Sequence, residues 1–288
     1  MKISPAQIEF ASVHLGKIDS GARSIFLETV NTENQIEIKI FGNDKMLGVF
    51  HSGIAYERFW ISISFETDTK QFNDELARLI RDSMKKSGFT SAMIWLRNDN
   101  RKIIEFLKKE FHIPPEGNHY YASIEFIMRR TCFAPKVEEC VLEIRSFEEK
   151  HIDKYLDMMD KSFTFADPPP KFKENKEQNA KRFAELSKAN SFEAFWKDNK
   201  LVGLYWRKNA EIDFLAVDVN HQRKGYGHII LTRAIEMIFA NTTDDYAYLY
   251  AVDWNSQGQS FYKKYGMEQN GHSYLLRLNN YDCRNDFI

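Results

Sequence analysis

Two stretches of this chain combine residue types and spacings that can do chemistry. Residues 211–228 read EIDFLAVDVNHQRKGYGH. An apolar run ends at Val217 or Val219, a polar turn carries Gln222, Arg223 and Lys224, and Gly225 and Gly227 open an amphipathic stretch. A helix beginning there presents unpaired N–H groups and partial positive charge to an anion. Glycine lets the backbone approach that anion closely, and Arg223 with Lys224 adds charge at the rim. The Walker pattern is absent, and a dinucleotide fingerprint fails because Gly227 is followed by His228-Ile229-Ile230. Spacing alone therefore indicates an anion site and leaves the anion open. His221 and His228 flank the turn, where they either touch the ligand or are simply solvated.

This segment resembles the pyrophosphate loop of the GNAT superfamily of N-acetyltransferases, Gln/Arg-x-x-Gly-x-Gly/Ala, through Gln222, Gly225 and Gly227. The second stretch, NSQGQSFYKKYGM (255–267), resembles the later strand–helix element of that family. It has Asn255 at its start and Tyr262 four residues before Gly266. The resemblance covers roughly residues 141–280. It implies an acetyl-CoA-dependent N-acetyltransferase, with acetyl-CoA as co-substrate, acting on a primary amine of a small molecule or peptide. A CoA-binding regulatory module without catalysis is the alternative. An aminoacyl-tRNA-dependent transferase, a third class that also pairs two such folds, would need a basic surface and no CoA loop.

By similarity, strand 211–217 parts from its neighbour at 245–252. The cofactor arm then pairs with backbone of Ala216, Val217 and Val219. The pyrophosphate rests on N–H groups of Arg223, Lys224, Gly225, Tyr226, Gly227 and His228, and Asn255 hydrogen-bonds the arm. Acyl transfer requires the amine to lose a proton, a donor for the developing oxyanion, and a proton for the leaving thiolate. The resemblance implies the Val217 N–H as that donor, Tyr262 as the acid and Glu211, through water, as the base. Asp213, two residues along, shares the face of Glu211 in a regular strand and is the fallback base. As bland readings, Tyr262 packs beside Phe261 and Tyr265, and Glu211 is a solvated charge. After a helix of about 148–163, Pro168, Pro169 and Pro170 break the chain before a charged helix. Phe163, Phe165 and Phe172 there either line the acceptor site or staple the loop.

The elements that must hold these residues occur twice. Residues 100–109, NRKIIEFLKK, parallel 255–264, NSQGQSFYKK, and each follows a short β-rich run, SAMIWL or AYLYAV. Earlier, Leu76, Leu79, Ile80 and Met84 recur at helical spacing, as do Ile230, Leu231, Ala234, Ile235 and Ile238. Ahead of those helices stand RFWISISF (58–65) and EIDFLAV (211–217). Ahead of the strands stand two hairpins, QIEIKIF–GNDK–MLGVF and FEAFWK–DNK–LVGLYW. YYASIEFIM (120–128) and SYLLRL (273–278) each close their own half. The expected fold class is α/β (α+β): two tandem GNAT-type domains, each a mixed, mostly antiparallel twisted sheet flanked by helices. Residues 1–133 form a degenerate copy and 134–288 the cofactor-binding domain, with the boundary in RRTCFAPKVEEC (129–140), which contains Pro135. A single large domain whose halves only look alike is the other possibility. The first copy has acidic FETDTKQFNDEL (65–76) where the glycine pair would be, and Leu107 in place of Tyr262. It reads as catalytically silent, and Asn100 alone does not restore a site.

Bulk composition excludes several classes. In 288 residues, 43% hydrophobic and 14% aromatic side chains can fill real cores. Forty basic residues nearly cancel 41 acidic ones, giving a formal charge of −1 and no footprint for nucleic acid or membrane. Three cysteines, Cys132, Cys140 and Cys283, lack CxxC spacing. Neither a disulfide framework nor a zinc site is expected, and His112, His119 and His272 add no metal spacing. The amino terminus lacks a signal-peptide core and no run approaches a membrane span. The expectation is a cytoplasmic monomer or homodimer without metal.

Overall fold

The computed structural model describes residues 3–42, 46–67, 70–114, 120–134, 142–164 and 171–279. The expected turn residues 43–45, His119, Pro135, Cys140, Phe165, Pro168, Pro169, Pro170 and Cys283 lie outside them. In chain order the elements are α1 (Pro5–Gly16), α2 (Ser20–Thr29), β1 (Gln35–Phe41), β2 (Gly48–Ala55), β3 (Arg58–Phe65), α3 (Asn73–Ser87), β4 (Ala92–Arg97), α4 (Arg101–Glu110) and β5 (Tyr120–Arg129). There follow β6 (Glu143–Arg145), α5 (Ile152–Ser162), α6 (Lys176–Lys188), β7 (Phe192–Lys197), β8 (Lys200–Lys208), β9 (Glu211–Val217), α7 (Tyr226–Asn241), β10 (Tyr246–Val252), α8 (Ser256–Tyr265) and β11 (Glu268–Leu278). The chain divides into two units, Met1–Glu125 with Asn270–Ile288, and Phe126–Gln269.

In the first unit the sheet order is β1-β2-β3-β4-β11. β3 and β4 are parallel and the other neighbouring pairs antiparallel. The periodic residues Leu76, Leu79, Ile80 and Met84 of α3 are all buried, packed with Phe41, Phe50 and Ile63. The opposite face is covered by α1 and α2, whose Leu15, Ala22 and Phe26 pack with Val49. α1 begins with a capping box: the Gln7 N–H donates to Ser4 Oγ (3.3 Å) and the Ser4 N–H to Gln7 Oε1 (3.0 Å). α2 begins at Asp19, which accepts from the Ala22 N–H at 2.8 Å.

Strand β11 departs from the sequence expectation. Residues 273–278 do not close the second half. They pair antiparallel with β4, from Ser273 opposite Arg97 to Leu278 opposite Ala92. Tyr274, Leu276 and Leu278 thereby join the core of the first unit. Alternation of apolar residues identifies a strand and its buried face but carries no information about which edge it joins.

In the second unit the sheet order is β10-β9-β8-β7-β6. The β7–β8 turn places Asp198 (φ 49°) and Asn199 (φ 59°) in the left-handed region, as a tight hairpin twisted with its strands requires. One face of the sheet packs on α5 and α6 through Tyr155, Leu156, Phe183, Trp196 and Trp206. The helix expected over 148–163 spans 152–162, after a 3-10 turn at 149–151. Ile230, Leu231, Ala234, Ile235 and Ile238 of α7 are buried as expected. α7 approaches β8 at Gly203, where a Cβ would stand 2.6 Å from Ile230 Cδ1 and 2.5 Å from the Ala216 carbonyl oxygen. No helix among the described residues is long and apolar enough to cross a membrane.

Candidate active site

The site originates in how β9 pairs. On one side it runs antiparallel to β8, with Gly203 opposite Val217 and Leu204 opposite Ala216. On the other, its parallel partner β10 is in register at a single position, Tyr248 with Glu211. Beyond that position the two strands part, as the resemblance implied. The Asp218 N–H donates to the Val202 carbonyl at 2.8 Å. Since hydrogen-bonded and open pairs alternate in an antiparallel ladder, Ala216 is bonded to β8. Leu215 and Val217 turn their N–H and C=O groups away from β8, into the gap. The Ala216 backbone thus belongs to the ladder, and its side chain is buried in the core of this unit.

A cavity of about 680 Å³ fills this gap. Its walls come from the end of β9 (Leu215, Ala216, Val217), the turn and start of α7 (Gln222, Arg223, Gly225, Gly227, His228), α8 (Asn255, Gln257, Tyr262) and the end of α5 (Ser162, Phe163). Sequence reasoning named most of these. It missed Ser162, Gln257 and Lys264, whose types carry no family signature, and it passed over Leu215 for Ala216. Val219, Lys224, Tyr226 and Glu211 do not line the cavity. Val219 is 45% exposed, the Lys224 ammonium donates to the Asn220 carbonyl (2.8 Å), and the Tyr226 hydroxyl accepts from Lys197 Nζ (3.1 Å).

The turn from β9 into α7 is shaped for an anion. Gly225 has φ 85° and Arg223 φ 60°. The first value suits glycine, and the second is costly for arginine. Gly225 precedes the first turn of α7 with no side chain capping that turn and no acidic residue in it, which leaves the N–H groups of Gly225, Tyr226 and Gly227 to face an anion. The His228 N–H, expected to join them, instead donates to the Gly225 carbonyl at 2.9 Å. Gly227 needs no special φ, and a Cβ there would meet nothing closer than Phe261 at 3.4 Å. Its missing side chain therefore keeps space in the cavity open rather than relieving a clash within the protein. Arg223 is exposed at the rim.

The Val217 carbonyl accepts from Ser162 Oγ at 3.2 Å and from Gln222 Nε2 at 3.1 Å. Asn255 caps α8 by accepting from the Gly258 N–H at 2.9 Å, leaving its Nδ2 for another partner. The Tyr262 ring packs at a tilt against Phe126 (5.6 Å) and Phe261 (5.3 Å). Burial pushes its phenol up to about 12, so it stays protonated at neutral pH.

Simple alternation does not set the faces of the two candidate carboxylates. Four residues of β9, from Glu211 to Phe214, answer three of β8, from Trp206 to Lys208, and the resulting bulge interrupts the alternation. Glu211, opposite Lys208, then faces the same side as Phe214 and Ala216. The Asp213 carboxylate is engaged by Arg182 (2.7 Å) and the Trp206 indole N–H (2.9 Å). Phe163 and Phe172 both pack on Phe214, at 5.2 and 5.8 Å, which staples the loop; Phe163 also lines the cavity.

The first unit has the same parts in a closed arrangement. β3 and β4 stay paired at four positions, Trp60 to Ile63 with Met93 to Leu96. Phe65 ends β3 as Val217 ends β9, opposite Gly48 as Val217 is opposite Gly203. Its N–H donates to Asn100 Oδ1 (3.0 Å), and its carbonyl accepts from Asn100 Nδ2 (3.3 Å) and the Arg97 guanidinium (3.1 Å). The asparagine at the start of α4 thus occupies backbone groups that their counterparts in β9 hold towards the cavity. Asp74 and Glu75 stand in the first turn of α3, and Leu107 is buried.

Among the described residues, no group of three or more His, Cys, Asp or Glu side chains is placed to hold a metal ion. Residues 152–267 match the model of the acetyltransferase (GNAT) family. No curated protein matches the chain. Over nearly its whole length the fold is similar to that of a Drosophila protein (TM-score 0.58, 12% identity, 97% of this chain and 98% of that one). It is also similar to a GCN5-related N-acetyltransferase from Sphaerobacter thermophilus (0.56, 10%, 96% and 93%). A functionally unknown conserved protein from Staphylococcus epidermidis is similar too (0.52, 14%, 88% and 97%). At these identities the likeness is one of fold, and the family match supplies the chemistry: residues 152–267 are an acetyltransferase domain of the GNAT family, an acyltransferase by class.

Proposed function

We propose that the domain transfers an acetyl group from acetyl-CoA directly to a primary amine of a small molecule or peptide, and that the cavity between β9 and β10 is where it does so. The observation that carries this reading is the parting of β9 from β10 beyond Glu211. It leaves the backbone groups of Leu215 and the Val217 N–H outside both strand ladders, beside a turn and helix start suited to phosphate. Bound there, acetyl-CoA would supply the activated acyl group. The N–H groups from Arg223 to Gly227 would hold its pyrophosphate, Arg223 would add charge at the rim, and Asn255 Nδ2 would bond its arm. The first unit, with its slot filled by Asn100 and Arg97, would not bind the cofactor and would be catalytically silent.

Within the cavity the Val217 N–H is the donor for the developing oxyanion. Tyr262, protonated at neutral pH, is the donor to the departing thiolate. Glu211, which stands outside the cavity lining, would remove the amine proton through water. Asp213, tied to Arg182 and Trp206, is the weaker candidate. The test is a screen of amines with acetyl-CoA, read by thiol release. Turnover that depends on Tyr262 supports the reading, whereas thiol release with no amine dependence refutes amine transfer.

A further inference from the structure

The Val217 carbonyl, at the end of β9, is held by side chains of the protein itself. Both of its lone pairs are used, by Ser162 Oγ at 3.2 Å and Gln222 Nε2 at 3.1 Å. The Val217 N–H lies on the same side of the strand, turned from β8, and it is not part of the short β9–β10 ladder. We propose that Ser162 is a positioning residue for acyl transfer. With Gln222 it closes the Val217 carbonyl, so that at this position the end of β9 offers the cavity a hydrogen-bond donor and no acceptor. This inference rests on the acyl-CoA reading above and goes beyond it, because it assigns a task to a residue outside both family motifs.

Ser162 ends α5 and is nearly buried. A serine within a helix commonly returns its proton to a carbonyl of its own helix; here the proton crosses to β9. Its other neighbour, Met158 Sδ, lies at 3.5 Å and is the weaker acceptor, so the carbonyl takes the proton. The contact ties the end of α5 to the end of β9 where neither β10 nor β8 holds the Val217 peptide groups.

The first unit serves as an internal control. At the matching residue, Phe65, the N–H and the carbonyl are both filled by side chains, and that strand end offers nothing. In the second unit only the carbonyl is filled. Two consequences follow for the ligand. An acyl carbonyl can dock on the Val217 N–H. The amide N–H groups of the cofactor arm must find their acceptor at Leu215, the preceding residue with the same orientation.

The test compares wild type, Ser162→Ala and Ser162→Thr in two ways. Proton–nitrogen spectra of protein carrying 15N-valine follow the Val217 amide during titration with acetyl-CoA or CoA. Steady-state kinetics give kcat and KM for acetyl-CoA. We expect the Val217 amide proton to move downfield with acetyl-CoA and much less with CoA. In Ser162→Ala that movement falls by half or more, and kcat drops about tenfold while KM changes less than about threefold. Ser162→Thr, which keeps the hydroxyl, restores both. An unmoved Val217 amide in a wild-type protein that acetyl-CoA does stabilise would overturn the inference and leave the acyl-CoA reading standing. So would unchanged kcat in Ser162→Ala, or a change in KM alone. If acetyl-CoA neither stabilises the wild type nor shifts any amide, both readings fall together.

Discussion

Replacing Asp19 by Asn should stabilise the first unit, and should do so increasingly as pH rises. Asp19 is fully buried; its Oδ1 accepts from the Ala22 N–H, while its Oδ2 has no hydrogen-bond partner among the described residues. Glu125, also fully buried, accepts from the Ser20 N–H at 3.2 Å and from Asn270 Nδ2 at 2.6 Å. Burial, reinforced by the charge of Glu125, raises the Asp19 carboxyl to about 7 from an ordinary 3.8. The native state therefore holds a proton that the unfolded chain releases. Stability from this source is complete below pH 3.8, declines as pH rises, and is lost above 7. At about 1.4 kcal/mol per pKa unit the full difference approaches ~4 kcal/mol, and relaxation around the charge reduces it to roughly 2–4 kcal/mol. Asparagine keeps the cap to Ala22 and places an NH2 where the second oxygen stood. Urea unfolding followed by circular dichroism at pH 5 and pH 8 measures the effect. The stability gained by Asp19→Asn over wild type should be about 2 kcal/mol or more larger at pH 8 than at pH 5. An advantage that is equal at both pH values, or a variant less stable than wild type at pH 8, would refute this reading of Asp19.

Other perturbations separate the roles within the cavity. Tyr262→Phe should lower kcat about 100-fold and leave KM for acetyl-CoA nearly unchanged; equal kcat across pH would remove the proton-donor role. Gly225→Ala forces a Cβ onto a φ of 85° and should cost roughly 1–2 kcal/mol of stability. Gly227→Ala should fold normally and raise KM for acetyl-CoA about tenfold or more, so thermal melts and kinetics distinguish the two glycines. Glu211→Gln should lower kcat about 100-fold, and an unchanged kcat assigns the base elsewhere.

Legibility from sequence was greatest where the backbone demands a residue type. Gly225 is needed for its φ, Gly227 for space in the cavity, and the buried positions of α3 and α7 for their 3.6-residue period; all three demands leave direct traces. The tight β7–β8 turn at Asp198-Asn199 is of the same kind. What escaped depends on pairing rather than on residue type. The partner of β11, the bulge that interrupts alternation between Glu211 and Phe214, and the ladder parity that selects Leu215 over Ala216 each follow from register with another strand. The closure of the first slot was half legible: the acidic turn and Leu107 were visible, but the Asn100 side chain bridging the N–H and carbonyl of Phe65 was not. The start of α1 is written in the sequence as Ser4, Pro5 and Gln7, the capping box that the structure forms.

The central claim is that the gap between β9 and β10 is an acyl-CoA site. Thermal unfolding of the full chain with and without acetyl-CoA tests it directly. At a ligand concentration one hundred times Kd, binding to the native state alone adds about 2.7 kcal/mol, which for a chain of this size raises Tm by roughly 5 °C or more. Gly227→Ala should lose most of that shift. A cooperative transition that does not move in millimolar acetyl-CoA would contradict the account.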